Sequence, residues 1–367
     1  MRDSFLLIMT PNMSLGKWDK SGFLSRELDI YKKIALQAGL KLVIYSYGRA
    51  DSVYLNGIAG VNVLEMPKWI SPWLPFRVQN ILYHLVSPML FYRYFRSIKI
   101  AKTNQYAASH FGLLLKVLFG IPLVVRMGYY HTHLKKTSFM HRLREQIVFS
   151  LSSRILVTST SAQRYIMQQY SVSEDKIMTI LNSIDMDIFK PSDVTKEFDA
   201  LFVGRLEAVK NVALLIQFLQ HTAFKVLVIG EGAMSAQIEE IALARTNISW
   251  IKRVENRELP NYYNLSKVFI LISKYEGNPK SLLEAMACGL ACIGTDVSGI
   301  KECIKHGWNG VLIDESVEKL DDEISALLAD PRSAQQMGKN AAKWIRMGCS
   351  MHQNILQEVD FYRPVIA

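Results

Sequence analysis

Short apolar segments alternate with longer amphipathic segments along the whole 367-residue chain. This alternation predicts β-strands separated by α-helices, the pattern of parallel sheets that helices cover on both faces. The pattern is interrupted at Pro191, Ser192 and Asp193, so we predict a linker at about 188–196. The sequence therefore predicts an α/β protein with two doubly wound domains, 1–190 and 191–367, and a cleft between them. Packing of the last helix back on the first domain is left open by the sequence.

The strands follow from the positions of the apolar segments. In the first half they are predicted at 4–9, 42–45, 61–64, 106–109, 123–126, 155–158 and 177–180. In the second half they are predicted at 198–203, 224–229, 248–251, 268–272, 291–294 and 311–313. In such sheets, ligands bind at the carboxyl ends of the strands.

The composition is compatible with this fold and also indicates where in the cell the protein lies. Half of the residues are apolar, which suffices for two cores. The four cysteines form no C-x-x-C pair and are expected to be small buried residues in a reducing compartment: Cys288, Cys292, Cys303 and Cys349. The first apolar run is too short for a signal peptide, and no apolar run reaches membrane-spanning length. We therefore expect a cytoplasmic protein without a transmembrane helix.

The net charge of +10 is concentrated in the first half. Residues 1–190 carry 24 basic and 11 acidic side chains, whereas residues 191–367 carry 19 and 22. No acidic residue lies between Glu65 and Glu145, and the basic residues from Lys68 to Lys102 are interleaved with aromatic ones. This pattern suits the interface of an anionic membrane, although a solvated basic surface would also produce it. The positive charge would also suit nucleic acid, but the sequence contains no motif for nucleic-acid recognition, so we do not expect nucleic acid as a partner.

The segment K-Y-E-G-N-P-K-S-L-L-E-A-M-A-C-G follows a predicted strand and contains Glu276 and Glu284, separated by seven residues. Asn278 is predicted to cap a helix over residues 279–288, which Gly289 ends. The amides and dipole of the helix start would then form an anion site beside a carboxylate, suited to a nucleotide sugar. The alternative is an ordinary strand, loop and helix with two solvated glutamates.

Two further loops at strand ends could contact a diphosphate or a base. In L-F-V-G-R-L-E-A-V-K-N, Arg205 and Lys210 follow one strand as two cations suited to the charge of a leaving diphosphate, although Arg205 could equally pair with a surface glutamate. In V-I-G-E-G, Gly230 and Gly232 either let the backbone approach a flat base or form a simple turn.

The loop after the first strand is a third candidate. Gly16, Ser21 and Gly22 lie at a turn that is predicted to open a helix over 22–38 and to approach a phosphate or sugar. A plain connection between strand and helix is the alternative. The loop does not match G-x-G-x-x-G, so dinucleotide binding is not predicted.

Taken together, these motifs resemble the retaining glycosyltransferases of family 4, which have the GT-B fold of two facing Rossmann-like domains. Glu276 and Glu284 match the E-x7-E hallmark of that family. The other matches are G-R-L with K-N at Gly204, Arg205, Leu206, Lys210 and Asn211, G-E-G at 230–232, L-P-N-Y-Y-N at 259–264 and S-G-I-K-E at 298–302. They cover roughly residues 198–315 in the order of the family.

The resemblance implies roles for individual residues. Glu276 would contact the donor sugar near its reacting face, Glu284 the ribose, and Arg205 with Lys210 the diphosphate. Other residues would contact the donor: Gly204, Gly230, Gly232, Arg253, Val254, Gly277, Asn278, Pro279, Lys280, Ser281 and Leu282. The resemblance also implies that no metal or other cofactor is needed, because the two cations replace it.

The first half resembles the family less. Gly128 stands where the family often has an active-site histidine, at the end of the strand in G-I-P-L-V-V-R-M-G-Y. The candidate acceptor-side residues are Arg126, His110, predicted to end a strand, and His131, with His133 close by. Each histidine could equally be structural.

The implied activity is transfer of a sugar from a nucleotide diphosphate sugar, with UDP-sugars favoured, to an acceptor hydroxyl with retention. The basic aromatic region suggests a lipid-linked or membrane-associated saccharide as acceptor, at the inner face of the membrane, in the synthesis of surface polysaccharide. Two alternatives remain open: a protein that binds the donor without turnover, and a sugar-nucleotide epimerase of the same fold.

Overall fold

The computed structural model describes residues 3–128 and 138–366. These form two compact units, one comprising 1–180 with 355–367 and the other 181–354. The division lies ten residues before the expected boundary at 190, because the segment after 180 is bonded into the second unit. The amide of Asn182 donates to Oδ1 of Asn278 at 2.7 Å, and the amide of Ile184 donates to the carbonyl of Cys349 at 2.8 Å. The cleft expected between the domains remains a prediction.

In the described part of the first unit, seven parallel strands form one sheet in the order β3-β2-β1-β4-β5-β6-β7. The strands are β1 Ser4–Ile8, β2 Lys41–Tyr45, β3 Val61–Leu64, β4 Ile98–Thr103, β5 Leu123–Met127, β6 Arg154–Val157 and β7 Ile177–Thr179. The helices are α1 Leu15–Lys20, α2 Leu24–Gln37, α3 Phe76–Leu90, α4 Tyr92–Ser97, α5 Ser109–Phe119, α6 Phe139–Leu151 and α7 Thr160–Tyr170.

The strand predicted at 106–109 is wrong. Strand β4 lies at Ile98–Thr103, and 106–108 is a short 3-10 turn that leads into α5. The two lysines in I-K-I-A-K-T conceal the strand pattern, yet Lys102 is buried. Its ammonium forms an ion pair with Glu358, a residue far away in sequence.

The helix predicted over 22–38 is in fact two helices. Helix α1 occupies Leu15–Lys20, and α2 begins only at Leu24. Between them Gly22 adopts a φ of 70°, and its amide donates to the carbonyl of Asp19 at 2.9 Å, which ends α1. Gly22 therefore stops a helix instead of opening one.

In the second unit, six parallel strands form one sheet in the order β10-β9-β8-β11-β12-β13. The strands are β8 Phe198–Val203, β9 Val226–Ile229, β10 Ile248–Ile251, β11 Ser266–Leu271, β12 Ala291–Thr295 and β13 Val311–Ile313. The helices are α8 Val212–His221, α9 Ser235–Ala244, α10 Leu259–Asn264, α11 Lys280–Ala287, α12 Ser298–Lys301, α13 Val317–Ala329 and α14 Pro331–Gly348. The final helix, α15 Met351–Ile366, begins in this unit and continues in the first one.

Both faces of the second sheet are buried, which explains why its strands are almost entirely apolar. Alternate residues enter two separate cores: Leu201, Val203, Leu227, Ile229, Phe269 and Leu271 in one, and Ala200, Phe202, Val226, Val228, Val268 and Ile270 in the other. All four cysteines are free and buried. Among the described residues, none of the helices has the length and apolar character needed to cross a membrane.

Candidate active site

The strand order of the second sheet reverses between β8 and β11, so the crevice for a ligand is expected at the carboxyl ends of these two strands. The loops that follow them meet there. The amide of Lys274, after β11, donates to the carbonyl of Val209, after β8, at 3.0 Å. This bond brings together two loops that are far apart in sequence.

Lys210 and Glu276 form an ion pair between these two loops. Their side chains are 15% and 9% exposed, so the pair is largely shielded from water. The hydroxyl of Ser273 donates to the same carboxylate oxygen of Glu276 at 2.7 Å. Thr295 in turn donates to the carbonyl of Ser273 at 2.6 Å. A fixed cation and a fixed carboxylate therefore lie side by side where the fold places ligands.

Gly299 allows the Glu276 loop to take this position. A Cβ atom at residue 299 would lie 2.3 Å from the carbonyl oxygen of Glu276 and 2.6 Å from that of Gly277. Real Cβ atoms do not approach backbone oxygens so closely. The glycine of the S-G-I-K-E segment is therefore needed for this segment to pack against the Glu276 loop.

The helix after Glu276 begins one residue later than predicted. Its N-cap is Pro279, and no side chain in the described part of the chain caps it. Asn278 is not the cap, because its side-chain oxygen accepts from the backbone amide of Asn182. The side chain of Asn182 also donates to the backbone carbonyl of Asn278 at 2.8 Å. The predicted end is confirmed: Gly289 follows the helix with a φ of 76°. The backbone amides at a helix start are the donors that the predicted anion site would use.

Glu284 is buried in bonds of its own. One oxygen accepts from Nδ2 of Asn256 at 2.9 Å and the other from the hydroxyl of Tyr263 at 3.0 Å. These contacts are separate from the Lys210 and Glu276 pair. Each carboxylate oxygen can accept a second hydrogen bond, so the predicted contact with a ribose remains chemically available.

The structure does not bring Arg205 to Glu276. The guanidinium is 69% exposed and pairs with Glu207 at 2.9 Å, which is the alternative left open by the sequence. The pairing is a surface contact of small energy. Of the two cations predicted for a diphosphate, only Lys210 is held in place.

The glycines after β8 and β9 pack the two loops against each other. A Cβ at Gly230, which has a φ of 146°, would lie 1.8 Å from the carbonyl oxygen of Gly204. A Cβ at Gly232 would lie 2.5 Å from that of Leu206. These glycines are therefore required by the protein backbone itself, whereas their predicted contact with a base stays a prediction.

The Gly230→Ala variant should be destabilised by at least ~2 kcal/mol, because the new methyl group clashes with backbone and the residue keeps a left-handed conformation. The measurement is the midpoint of urea unfolding. Gly348→Ala is the matched control, since nothing lies within 4 Å of a Cβ there. The control should be neutral or slightly stabilising. Equal effects of the two substitutions would contradict this reading.

The remaining donor-side candidates follow β10 or lie at the start of α11. Arg253 is exposed and Val254 is partly buried. Leu282 is fully buried and belongs to the core, so its side chain is structural. Gly277 is buried, whereas Lys280 and Ser281 are half-buried.

The predicted phosphate loop of the first unit is already occupied by a carboxylate. The amides of Leu15 and Gly16, at the start of α1, donate to the two oxygens of Asp51 at 2.7 and 3.3 Å. Asp51 is buried and also accepts from Ser46. Gly16 therefore lies inside a capped helix, and Ser21 lies at its exposed end. Both positions belong to α1 or its C-terminal cap, whereas the sequence predicts a turn there.

The space beside Gly128 is taken by Gln105. The amide of Gly128 donates to Oε1 of Gln105 at 3.1 Å, and a Cβ at 128 would lie 2.9 Å from Nε2 of Gln105. Arg126 donates to the carbonyl of Asn104 at 3.3 Å. His110 lies on α5 and does not end a strand, contrary to the prediction. His131 and His133 lie outside the described residues.

Sequence reasoning missed the residues that hold the glutamates. Ser273, Asn256 and Tyr263 bond the two carboxylates, and Gln105 fills the place beside Gly128. Ser273 could have been found, because it lies two residues after the end of β11 and three residues before Glu276. Tyr263 lies in the L-P-N-Y-Y-N segment at 259–264, whereas Asn256 and Gln105 have no local signal. In the described part of the chain, no group of three or more His, Cys, Asp or Glu side chains could hold a metal ion.

Two protein families match the chain. Residues 183–344 match the family described as Glycosyl transferases group 1, and residues 35–188 match Glycosyltransferase Family 4. The two matches overlap at 183–188 and together extend from residue 35 to residue 344.

Individual proteins agree with this result. Alpha-maltose-1-phosphate synthase of Mycolicibacterium smegmatis is 25% identical over 255 residues, which are 61% of this chain and 66% of that protein. The UDP-Gal:alpha-D-GlcNAc-diphosphoundecaprenol alpha-1,3-galactosyltransferase of Escherichia coli is 23% identical over 296 residues, covering 73% and 76%. The crystal structure of Anabaena HepE with UDP and glucose superposes with a TM-score of 0.76 at 16% identity, covering 98% of this chain and all of that one.

Proposed function

Because the chain belongs to the family 4 type of glycosyltransferase and has the GT-B fold, we propose that it transfers a sugar from a UDP-sugar to an acceptor hydroxyl, with retention and without a metal ion. The observation that carries this proposal is the Lys210 and Glu276 pair at the carboxyl ends of β8 and β11. A sugar diphosphate combines the two groups that such a pair recognises, an anion and a set of hydroxyls.

In the proposed reaction, the bond between the anomeric carbon and the phosphate oxygen breaks, and its electrons remain on the departing UDP. Lys210 stabilises that growing negative charge, as a fixed cation at a leaving group does. The acceptor oxygen bonds to the anomeric carbon on the face that UDP leaves, and its proton passes to the diphosphate. Glu276 accepts hydrogen bonds from the sugar hydroxyls and holds the ring in place.

The choice of UDP is supported by two proteins named above. The Escherichia coli relative is named for UDP-Gal, and the Anabaena structure contains UDP with glucose. The name of the Escherichia coli relative also includes a diphosphoundecaprenol acceptor, a lipid-linked saccharide. We propose an acceptor of this class, a lipid-linked or membrane-associated saccharide used in surface polysaccharide synthesis.

The surface of α3 supports a membrane acceptor. Val78, Ile81, Leu85 and Met89 recur at helical spacing and are 39%, 58%, 64% and 85% exposed. The opposite side of the helix buries polar residues that are hydrogen-bonded: Gln79, Tyr83 and Ser87. In an ordinary surface helix the apolar side faces the core and the polar side faces water, whereas α3 has the opposite arrangement. An apolar environment outside the protein would explain it.

Exposed aromatic and basic side chains flank this helix. Trp69 and Trp73 are 66% and 93% exposed, and Tyr92 and Tyr94 follow on α4. The basic residues around them, with no acidic residue in the interval, are Lys68, Arg77, Arg93, Arg96 and Lys99. Lys102, Tyr83 and Phe95 are buried and do not belong to this surface, contrary to the wider region predicted from sequence. The charge is complementary to anionic lipid, so we propose peripheral binding at the cytoplasmic face of the membrane.

Replacing Ile81 and Leu85 by glutamine together should lower the partition onto phosphatidylglycerol vesicles by about tenfold or more, because two side chains no longer bury apolar area. Co-sedimentation measures the partition. The matched control replaces Leu36 and Leu243, which are 79% and 85% exposed on other helices, by glutamine, and should bind as the wild type does. Equal losses in both variants, or no binding by the wild type, would count against a membrane role for α3.

Release of free nucleotide from a panel of nucleotide sugars, with and without membrane extract and with and without a chelator, tests the activity itself. We expect release from a UDP-sugar that depends on the extract and is insensitive to the chelator. Release without an acceptor would favour hydrolysis or epimerase chemistry. Binding without any release would favour an inactive donor-binding protein.

A further inference from the structure

A groove of about 830 Å³ opens in the second unit, away from Lys210 and Glu276. Its floor includes Lys267 and Val268 in the first half of β11 and Ala291 at the start of β12. The strands are parallel, so the groove lies at the amino edge of the sheet, roughly 15–20 Å from the carboxyl edge by the rise of a strand. Its volume is in the ordinary range of small-molecule sites.

The groove is preformed by close backbone packing. Helix α14 forms one wall and the segment 191–196 the other. A Cβ at Gly338, in the middle of α14, would lie 1.9 Å from the carbonyl oxygen of Gly289, so the helix touches the loop before β12 directly. Apolar side chains line the interior: Val194, Val268, Leu290, Ala291, Leu327, Leu328, Ala334 and Ala342.

Basic side chains surround this apolar interior. Six of them line the groove, against the single acid Asp193: Lys196, Lys267, Arg332, Lys339, Lys343 and Arg346. Two are already engaged. Lys267 pairs with Asp199 at 2.7 Å, and Lys196 donates to the carbonyl of Asn264 at 2.8 Å. This concentration of positive charge lies in the half of the chain that carries more acidic than basic residues.

The other four cations lie on α14. Arg332, Lys339, Lys343 and Arg346 are spaced by seven, four and three residues, which places them along one side of a helix. Helix α14 contains no acidic residue, and none of these four side chains forms an ion pair or hydrogen bond within the described residues. Like charges at such spacings repel each other. The unliganded helix therefore carries an unfavourable interaction that an anion would relieve.

We propose that this groove is a second ligand site, which takes a molecule with two or more phosphate groups and an apolar or ring portion. Phosphate fits better than carboxylate because each phosphate group brings up to two negative charges to the four unpaired cations, and both Lys and Arg bind it well. The apolar interior would contact the remainder of the ligand. The site is independent of the proposed nucleotide-sugar site, which lies at the opposite edge of the sheet.

Hydrogen exchange with inorganic pyrophosphate as probe, at an ionic strength matched with chloride, tests the proposal peptide by peptide. We expect protection of peptides covering 191–196 and 331–346 in the full chain. In the double variant Lys339→Ala with Lys343→Ala, the pyrophosphate concentration needed for half-maximal protection should rise by about tenfold. Both side chains are exposed, so the variant should fold. Lys305→Ala with Lys319→Ala removes the same charge outside the groove and should leave the protection unchanged.

The source of the phosphate is decided by a parallel experiment with vesicles that contain cardiolipin, a lipid with two phosphate groups. Protection by soluble pyrophosphate supports a soluble phosphorylated ligand, and protection by vesicles alone supports a lipid headgroup on the same cations. Absence of protection with both probes, or protection that the groove variant does not alter, would overturn the site. Protection confined to 204–211 and 276–284 would also overturn it, while leaving the nucleotide-sugar proposal intact.

Discussion

Replacing Glu276 by glutamine is expected to lower kcat by about 10²–10³-fold, the usual scale for removing one fixed electrostatic group from an active site. Glutamine keeps the size of the side chain and an oxygen that can accept from Ser273, but it removes the charge that pairs with Lys210. Lys210 would then lose its partner and its fixed position. Acceptor-dependent nucleotide release measures the effect.

The matched control is Glu207→Gln. Glu207 belongs to the same loop as Lys210 but pairs with the exposed Arg205, a contact that contributes little. We expect a change in kcat of no more than about twofold, the scale of a weak surface pair. If Glu276→Gln retained wild-type turnover, the reacting sugar could not lie at this glutamate.

The Glu358→Ala variant is expected to lose about 3–5 kcal/mol of stability, because it leaves a buried ammonium without a partner. Glu358 on α15 pairs with Lys102 on β4, and the two side chains are only 9% and 3% exposed. The hydroxyl of Tyr362 also donates to Glu358. Burial lowers the pKa of Lys102, while Glu358 opposes that shift.

Urea unfolding with Asp360→Ala as control tests this expectation. Asp360 lies on the same helix but pairs with Arg363 at the surface, so its loss should cost less than about 0.5 kcal/mol. Replacing Lys102 by methionine and Glu358 by leucine together should recover most of the loss, since an apolar pair needs no charge compensation. A Glu358→Ala protein as stable as the control would show that the buried pair is dispensable.

The same pair shows where sequence reasoning failed on the fold. Strand β8 was predictable at Phe198–Val203, because both faces of its sheet are buried and the apolar run is nearly continuous. Strand β4 was not predictable, because a lysine such as Lys102 is expected to face water. Only its partner Glu358, 256 residues away, explains why it is buried. Local pattern therefore identifies strands except where a distant contact neutralises a polar residue.

The candidate site shows the same division. Lys210 and Glu276 were each identified from their place after a strand, and the strand order brings them together. Asn278 was misread as a helix cap because its actual partner, Asn182, lies 96 residues earlier. At the start of α1, the amides of Leu15 and Gly16 already donate to Asp51, a partner 36 residues from Leu15 that the local sequence does not reveal. Short-range signals identified candidate groups, and long-range partners decide which of these groups are already hydrogen-bonded within the protein.

Calorimetric titration of UDP into the wild type and into Lys210→Met tests the central claim most directly, because it requires neither the acceptor nor the sugar to be known. We predict binding to the wild type and a Kd raised roughly 10–100-fold in the variant, the scale of one charge-assisted contact with phosphate. Lys319→Met, an exposed lysine on α13, should bind as the wild type does. Equal affinity in Lys210→Met and wild type, or no heat of UDP binding in either, would contradict a sugar-diphosphate site at Lys210 and Glu276.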